Sequence, residues 1–126
     1  MKKVIIIDDE PAIRKLLADY LTDEGWDVTT CSSGDCYITS SKDIDFDLVI
    51  TDLVMEKITG TELIRKYLPK NQKTIVISGF IQVVLANELY QTPNVRFLQK
   101  PFCSCHLQKE INELFNTSNK VEYNLI

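Results

Sequence analysis

The sequence lacks an apolar run that could cross a membrane, which needs about 18–20 residues. Its 126 residues also include few backbone-breaking residues, four glycines and four prolines, and a single tryptophan. The start, MKKVIIIDDE, reaches acidic residues after only four apolar ones, which is too short a stretch for a signal peptide. We therefore expect a single-domain cytoplasmic protein that begins at Met1.

The sequence also has fewer basic than acidic residues. Fourteen basic residues face eighteen acidic ones, which leaves a formal net charge of −4. Surfaces that bind nucleic acid are normally basic and clustered, so we expect no direct contact with nucleic acid. The apolar share of 44% and the charged share of 25% are typical of a folded globular chain.

The four cysteines form no recognisable metal motif. A cytoplasmic location keeps thiols reduced, so we expect no disulfide. Cys103 and Cys105 with His106 invite a metal-binding interpretation, but a single C-x-C-H lacks the paired C-x-x-C spacing of zinc sites. We interpret them instead as small, partly buried thiols and a histidine on a helix face.

Short β-branched runs alternate with apolar stripes at helical spacing. The runs predict five strands, at 4–7, 26–31, 48–52, 74–77 and 95–98. The stripes predict five helices: one from Pro11 toward Gly25, a weak one over 35–41, one from Gly60 to Pro69, one through Val84, Leu85 and Leu89, and one from Leu107 to Phe115. We assign residues 1–116 to the domain and 117–126 to a polar tail.

This alternation predicts an α/β fold, a doubly wound parallel sheet with helices on both faces. Two strand orders are common for such sheets, and we adopt the order 2-1-3-4-5, which makes strands one and three neighbours. In either order chemistry collects at the carboxyl ends of the strands, near the point where the order reverses.

Polar residues follow four of the predicted strands. The first strand is followed by Asp8 and Asp9, the third ends at Asp52, the fourth is followed by Ser78 and the fifth by Lys100. Carboxylates held close together stay ionised only with a cation between them, and Mg²⁺ is the most plausible ion for oxygen ligands. Each residue alone has an ordinary interpretation as a capping acid, a turn residue or a solvated lysine. Their shared position at strand ends favours a common site.

Such a cluster suits phosphoryl transfer, which depends mainly on positioning and charge neutralisation. A carboxylate can itself accept the phosphoryl group, and Asp52 is the better candidate because it is central. Asp8 and Asp9 would then hold the metal. Lys100 and Ser78 would supply a positive charge and a hydrogen bond to the phosphoryl oxygens.

At this point the residues resemble the receiver domain of two-component response regulators (CheY-like). The motifs that carry the resemblance are, in the family's order, IIIDDEP, VITDLVMEKITG, VISGF and FLQKPF. The resemblance extends from Lys2 to Phe115 and includes the spacing between Ser78 and Lys100. One motif would only be suggestive, whereas the four together are highly specific.

The resemblance implies a role for each matching residue. Asp52 corresponds to the phosphoacceptor. Asp8 and Asp9 correspond to the acidic pair that binds Mg²⁺, and the backbone carbonyl of Val54 corresponds to a further metal ligand.

The resemblance also assigns roles near the ends of the fourth and fifth strands. Ser78 corresponds to the switch hydroxyl and Phe97 to the switch aromatic residue. Lys100 corresponds to the phosphate-binding lysine, and Pro101 to a cis proline. The domain would be a phosphoprotein of a phosphorelay that catalyses only its own phosphorylation and dephosphorylation.

The resemblance also implies partners. A histidine on a sensor kinase or phosphotransfer protein would donate the phosphoryl group. A downstream protein would bind the face formed by the fourth predicted helix, the fifth strand and the last helix, whose conformation phosphorylation would bias.

A few positions depart from the family's pattern. Glu56 stands where many receivers have a proline, and Ser78 replaces the more usual threonine. Val54 and Phe80 lie at the positions that flank the path of the attacking water, and both are apolar. Because neither side chain can orient water, we expect slow self-dephosphorylation.

Three alternatives remain open from sequence. A relay intermediate would pass its phosphoryl group on to another histidine. A haloacid-dehalogenase-like phosphohydrolase also uses an aspartate, Mg²⁺ and a lysine, but it needs an Asp-x-Asp where this chain has adjacent Asp8 and Asp9. A nucleotide- or flavin-binding module is disfavoured because the turn DDEPAIR has no glycine.

Overall fold

A computed structural model of the chain describes residues 2–55, 57–79 and 93–116. These contain five parallel strands: β1 (Lys3–Ile7), β2 (Asp27–Cys31), β3 (Leu48–Asp52), β4 (Thr74–Ser78) and β5 (Val95–Gln99). They form one sheet in the order β2-β1-β3-β4-β5, which confirms the predicted topology. Each strand lies within one residue of its predicted bounds.

Helices connect the strands. The described ones are α1 (Pro11–Asp23), α2 (Gly34–Ser40), α3 (Gly60–Glu62), which continues as a π-helical segment (Leu63–Tyr67), and α4 (Ser104–Phe115). The fourth predicted helix, through Val84, Leu85 and Leu89, lies outside the described residues, as does the predicted tail at 117–126. The last predicted helix is therefore α4 here. None of the described helices has the length and apolarity needed to cross a bilayer.

The sheet is buried on both faces because helices cover both. Ile6 packs with Leu17 of α1 and Leu107 of α4 in one core layer. Its neighbour Ile5 packs with Leu63 in the other layer. Successive strand side chains point to opposite faces, so a strand covered on both sides needs apolar residues at every position, which explains the continuous β-branched runs.

Helix α1 begins and ends where the sequence predicts. Pro11 is its first residue, a position where the missing N–H of proline costs no hydrogen bond. Just beyond the helix Gly25 has a φ of 93°, in the left-handed region that glycine enters without steric cost.

The third predicted helix is confirmed as helical, but its hydrogen bonding changes along its length. Thr59 caps its start, since its Oγ1 accepts the Glu62 backbone N–H at 3.1 Å. The Leu68 N–H then donates to the Leu63 carbonyl at 3.0 Å, which is an i to i+5 bond. Apolar spacing does not distinguish this wider turn from an α-helical one.

The expectation of four reduced thiols is wrong for this structure. Disulfides join Cys31 to Cys36 and Cys103 to Cys105, which accounts for all four cysteines of the chain. The tight turn from β2 into α2 brings the Cα atoms of Cys31 and Cys36 to 5.5 Å, within disulfide range. The expectation came from compartment chemistry alone, and the proximity within each pair arises from the fold.

The strand register brings the ends of β1, β3 and β4 to one edge of the sheet. Ile7 pairs with Thr51, so the next residues, Asp8 and Asp52, leave their strands at the same level. Asp52 in turn pairs with Ile77, so Ser78 comes one residue later on the neighbouring strand.

A close backbone approach fixes the loop that follows β3. The Gly60 N–H donates to the Leu53 carbonyl at 2.9 Å, which folds the start of α3 back over the strand end. A Cβ at Gly60 would lie 2.5 Å from the Asp52 carbonyl oxygen and 2.9 Å from the Leu53 Cα. Both contacts are with backbone, so a side chain at position 60 requires the segment carrying Asp52 to shift.

Replacing Gly60 with alanine should therefore destabilise the protein. Alanine is the better helix former by about 1 kcal/mol, but the clash with rigid backbone should outweigh this and lower the free energy of unfolding by about 1–3 kcal/mol. Urea denaturation measures the change. Gly79→Ala is the matched control, because a Cβ there meets nothing within 4 Å. Equal stability of the two variants would show that the approach at Gly60 is not tight.

Candidate acidic phosphoryl-transfer site

Two carboxylates are buried at the carboxyl edge of the sheet. The exposed fraction is 1% for Asp8, which follows β1, and 8% for Asp52, which ends β3. Burial disfavours a charged carboxylate, so it raises the pKa of Asp8, and the neighbouring charge of Asp52 raises it further. Burial also raises the pKa of Asp52, with a smaller contribution from the charge of Asp9.

Backbone N–H groups orient both carboxylates. The Glu10 N–H donates to Asp8 Oδ1 at 2.9 Å. The Val54 N–H donates to Asp52 Oδ1 at 3.4 Å. Arg14 Nη1 donates to the Asp8 carbonyl oxygen at 2.6 Å, which ties α1 to the end of β1. Each carboxylate thus keeps its Oδ2 directed toward the same neighbour, Lys100.

Lys100 brings its positive charge between the carboxylates. Its Nζ lies 3.4 Å from Asp8 Oδ2, 3.4 Å from Asp52 Oδ2 and 3.2 Å from Glu10 Oε1. Burial by itself lowers the pKa of this lysine, but the charges of Asp52, Asp8 and Glu10 outweigh that effect and raise the pKa overall. Lys100 is therefore charged at neutral pH and offsets part of the cost of the buried carboxylates.

The connection after β5 holds the lysine in place. The Lys100 N–H donates to the Ser78 carbonyl oxygen at 2.9 Å, which extends the pairing of β4 and β5 by one residue. The Lys100–Pro101 peptide bond is cis, in agreement with the resemblance.

The acidic group also has the chemistry of a metal site. Carboxylate oxygens of Asp8, Glu10 and Asp52 all lie within 4.8 Å of one another. Hard oxygen donors of this kind suit Mg²⁺, which is commonly bound through one or two carboxylates, water and a phosphate. The buried charge of Asp8 and Asp52, only partly offset by one lysine, is a further reason for a cation to bind here.

The sequence predicts a ligand set of Asp8, Asp9, Asp52 and the carbonyl of Val54. Of these, Asp8 and Asp52 belong to the acidic group. Asp9 is exposed, and Glu10 is the third member of the group. Val54 is 58% exposed at the mouth of the site, and the contact found there is made by its N–H. Glu10 was missed as a site residue, although it follows the acidic pair directly.

The predicted switch residues lie on adjacent strands. Ser78 is 2% exposed at the end of β4 and pairs in register with Gln99 of β5. Phe97 is half-buried and packs against the small cluster of Leu53, Val76 and Val95. Of the positions that depart from the family's pattern, Glu56 and Phe80 lie outside the described residues.

Comparison with known proteins agrees with this geometry. The model of the response regulator receiver domain family matches residues 4–112. The chain therefore belongs to the receiver domains, the signalling modules of two-component systems. This membership favours the receiver interpretation over the phosphohydrolase and the nucleotide-binding module.

Similar proteins include whole receivers and parts of longer regulators. The chain is 37% identical over 101 residues to the transcriptional regulatory protein FixJ of Rhizobium meliloti, covering 79% of this chain and 50% of FixJ. It is 29% identical over 116 residues to the response regulator receiver protein CpdR of Brucella abortus, covering 90% of this chain and 94% of CpdR. The chain thus spans half the length of one relative and nearly all of the other.

Among solved structures, the response regulator TrrA of Thermotoga maritima, in complex with Mg²⁺ and BeF, superimposes with a TM-score of 0.76. It is 27% identical, and the match covers 90% of this chain and 99% of TrrA.

The raised carboxylate pKa values predict a stability change on neutralising Asp8. A raised pKa means that the folded protein holds the proton more tightly than the unfolded chain. The stability that this gives is present at low pH and is lost as the pH rises through the folded pKa. Asp8→Asn should therefore raise the free energy of unfolding at pH 7 by on the order of 1 kcal/mol, and this gain should shrink as the pH falls through the raised folded pKa and be absent below about pH 4.

Urea denaturation at pH 7 and below pH 4 measures this difference. Asp43 is an exposed aspartate and provides the matched control, since Asp43→Asn should change stability by less than about 0.5 kcal/mol. An Asp8→Asn protein no more stable than wild type at pH 7 would contradict the cost assigned to the buried charge.

Proposed function

We propose that the chain is a phosphoacceptor receiver in which Asp52 takes a phosphoryl group from a histidine on a sensor kinase or phosphotransfer protein. The observation that carries the proposal is the position of Lys100 Nζ, 3.4 Å from an Oδ2 of both Asp8 and Asp52. A carboxylate nucleophile, a second buried carboxylate and a lysine ammonium group at one sheet edge are the components that phosphoryl transfer needs.

In the reaction a carboxylate oxygen of Asp52 attacks phosphorus. A new O–P bond forms, the P–N bond to the donor histidine breaks, and the imidazole nitrogen takes up a proton. The nucleophile must be ionised despite its burial, and the charge of Lys100 lowers the pKa of Asp52 against the larger effect of burial. After transfer, the same ammonium would pair with the phosphoryl oxygens.

The acidic group would hold Mg²⁺ through Asp8, with Asp9 or Glu10, the phosphoacceptor Asp52 and the Val54 carbonyl as the further ligands. When bound, Mg²⁺ supplies positive charge that offsets the repulsion between the carboxylates and the incoming phosphoryl group. Glu10 is 60% exposed while paired with Lys100, so this carboxylate can exchange partners at little cost in burial.

Phosphorylation would be read out through Ser78 and Phe97. The Ser78 hydroxyl would move toward the phosphoryl oxygens, and the Phe97 ring, half-buried on β5, would turn further inward. A downstream protein would bind the face formed by the fourth predicted helix, β5 and α4. The net negative charge of the chain supports a protein partner without direct nucleic-acid contact. We assign the protein to the cytoplasm. Within the chain we assign residues 1–116 to the receiver and 117–126 to a tail.

Incubation with phosphoramidate, a small phosphodonor, should give one phosphoryl adduct by intact mass. The adduct should require Mg²⁺, because the carboxylates repel the phosphoryl group without it. Asp52→Asn should abolish the adduct, and Lys100→Ala should slow its formation. Asp45→Asn, at an exposed aspartate, is the matched control and should leave the yield unchanged. An adduct of undiminished yield on Asp52→Asn would disprove the assignment of the acceptor.

The lifetime of the phosphorylated form should depend on Val54. Its apolar side chain is exposed at the mouth of the site and gives the attacking water no hydrogen bond. Val54→Asn adds one such bond, worth about 1 kcal/mol, so dephosphorylation should speed up by about fivefold. Loss of the mass adduct over time measures the rate. Val54→Ala is the control. A similar acceleration in that variant would mean that easier access of water to the site, and not a new hydrogen bond, causes the effect.

A further inference from the structure

A second group of potential ligands lies at the start of α4, outside the acidic site. It consists of Cys103, Cys105 and His106, all of them exposed. One ligand atom of each, two sulfurs and a ring nitrogen, lies within 4.8 Å of the other two. His106 is the only histidine in the sequence.

The backbone explains why residues so close in sequence converge. Residues two apart on a helix do not face each other. Cys103, however, precedes the helix in an extended conformation, with φ −103° and ψ 164°, so its side chain turns back toward the first helical turn. The His106 N–H donates to the Cys103 carbonyl at 3.1 Å and fixes the turn that carries Cys105 and His106.

In the structure the two sulfurs are joined as a disulfide, which is a poor metal ligand. Reduction by a dithiol opens it: the protein gains two thiols, and the dithiol becomes a cyclic disulfide. The exposure of both cysteines leaves the bond open to such a reductant. The two thiols then lie at the N-terminal end of a 12-residue helix, next to His106.

We propose that this cluster, once reduced, binds a thiophilic divalent metal ion of the Zn²⁺ class. Binding replaces the two thiol protons: one metal ion joins two thiolates and the neutral imidazole, and two protons are released. Two sulfurs and one nitrogen form a Cys₂His set, which leaves one tetrahedral position for water. The proposal rests on none of the residues of the acidic site, so it stands or falls independently of the proposed function.

Ligand chemistry separates the two sites. The acidic group offers only oxygen donors, which suit Mg²⁺, whereas thiolates select softer ions. The other cysteine pair makes a weaker candidate, because Cys31 is 2% exposed and the sole histidine belongs to α4. The sequence motif alone does not favour a metal site at Cys103, because the spacing has no second cysteine pair. In the structure, His106 lies close to both sulfurs and provides the third ligand.

Cobalt titration of the reduced protein tests the proposal. The full chain is reduced with dithiothreitol under argon, freed of reductant, and titrated with Co²⁺, whose thiolate complexes have charge-transfer absorption that oxygen ligands do not give. We expect this absorption to saturate at one Co²⁺ per chain and to disappear when Zn²⁺ is added. Excess Mg²⁺ should leave it unchanged.

Variants locate the site. Cys103→Ser and Cys105→Ser should lose the thiolate absorption, and His106→Ala should weaken Co²⁺ binding at least about tenfold, since even indirect partners of metal ligands change affinity by about 10–100-fold. Cys36→Ser, which breaks the other pair, is the matched control and should bind like wild type. Circular dichroism checks that each variant is folded.

Two results would overturn the proposal. One is a reduced wild-type protein without thiolate–cobalt absorption, which needs no variant to interpret. The other is absorption that survives in Cys103→Ser and is lost in Cys36→Ser, which would assign the metal to the β2–α2 cysteines. Wild-type protein left oxidised should show no absorption, because the disulfide has no thiolate to offer.

Discussion

The ammonium group of Lys100 is the contact on which the arrangement of the site depends. It lies 3.4 Å from an Oδ2 of both Asp8 and Asp52, which are otherwise buried negative charges. Burial alone would drive both carboxylates toward protonation, and a protonated aspartate is a poor nucleophile. The lysine therefore joins the end of β5 to the ends of β1 and β3, and its charge lowers the pKa of both carboxylates against the larger effect of burial.

Apolar burial in the sheet offsets the free-energy cost of burying these charges. The central strands β1, β3 and β4 are covered on both faces, and their apolar side chains provide the stabilisation that the buried charges remove. The site lies where the strands end, so the charges interrupt no core layer. The close approach of Gly60 to the Asp52 carbonyl then packs the following loop against the strand end without a side chain between them.

The chain keeps hard and soft ligands apart. Oxygen donors collect at the sheet edge, while both exposed cysteines and the histidine belong to the start of α4. Cys103 follows Lys100 by only three residues, yet the acidic group that Lys100 contacts draws its members from β3 and the loop after β1. An ion that prefers sulfur should therefore bind weakly at the acidic group, and Mg²⁺ should bind weakly at the cysteines.

The sequence by itself determined the strands, the helices α1 and α4 and the residues that follow the strands, because burial on two faces requires continuous apolar runs and helix ends have local signals. It also singled out Asp8, Asp52 and Lys100. Only the tertiary structure decided that Glu10 rather than Asp9 joins the close acidic group, and that Cys31 pairs with Cys36. The first depends on where the loop after β1 directs its side chains, and the second on how the turn between β2 and α2 places the ends of those two elements. The geometry of loops and turns is set by contacts between elements that are distant in sequence.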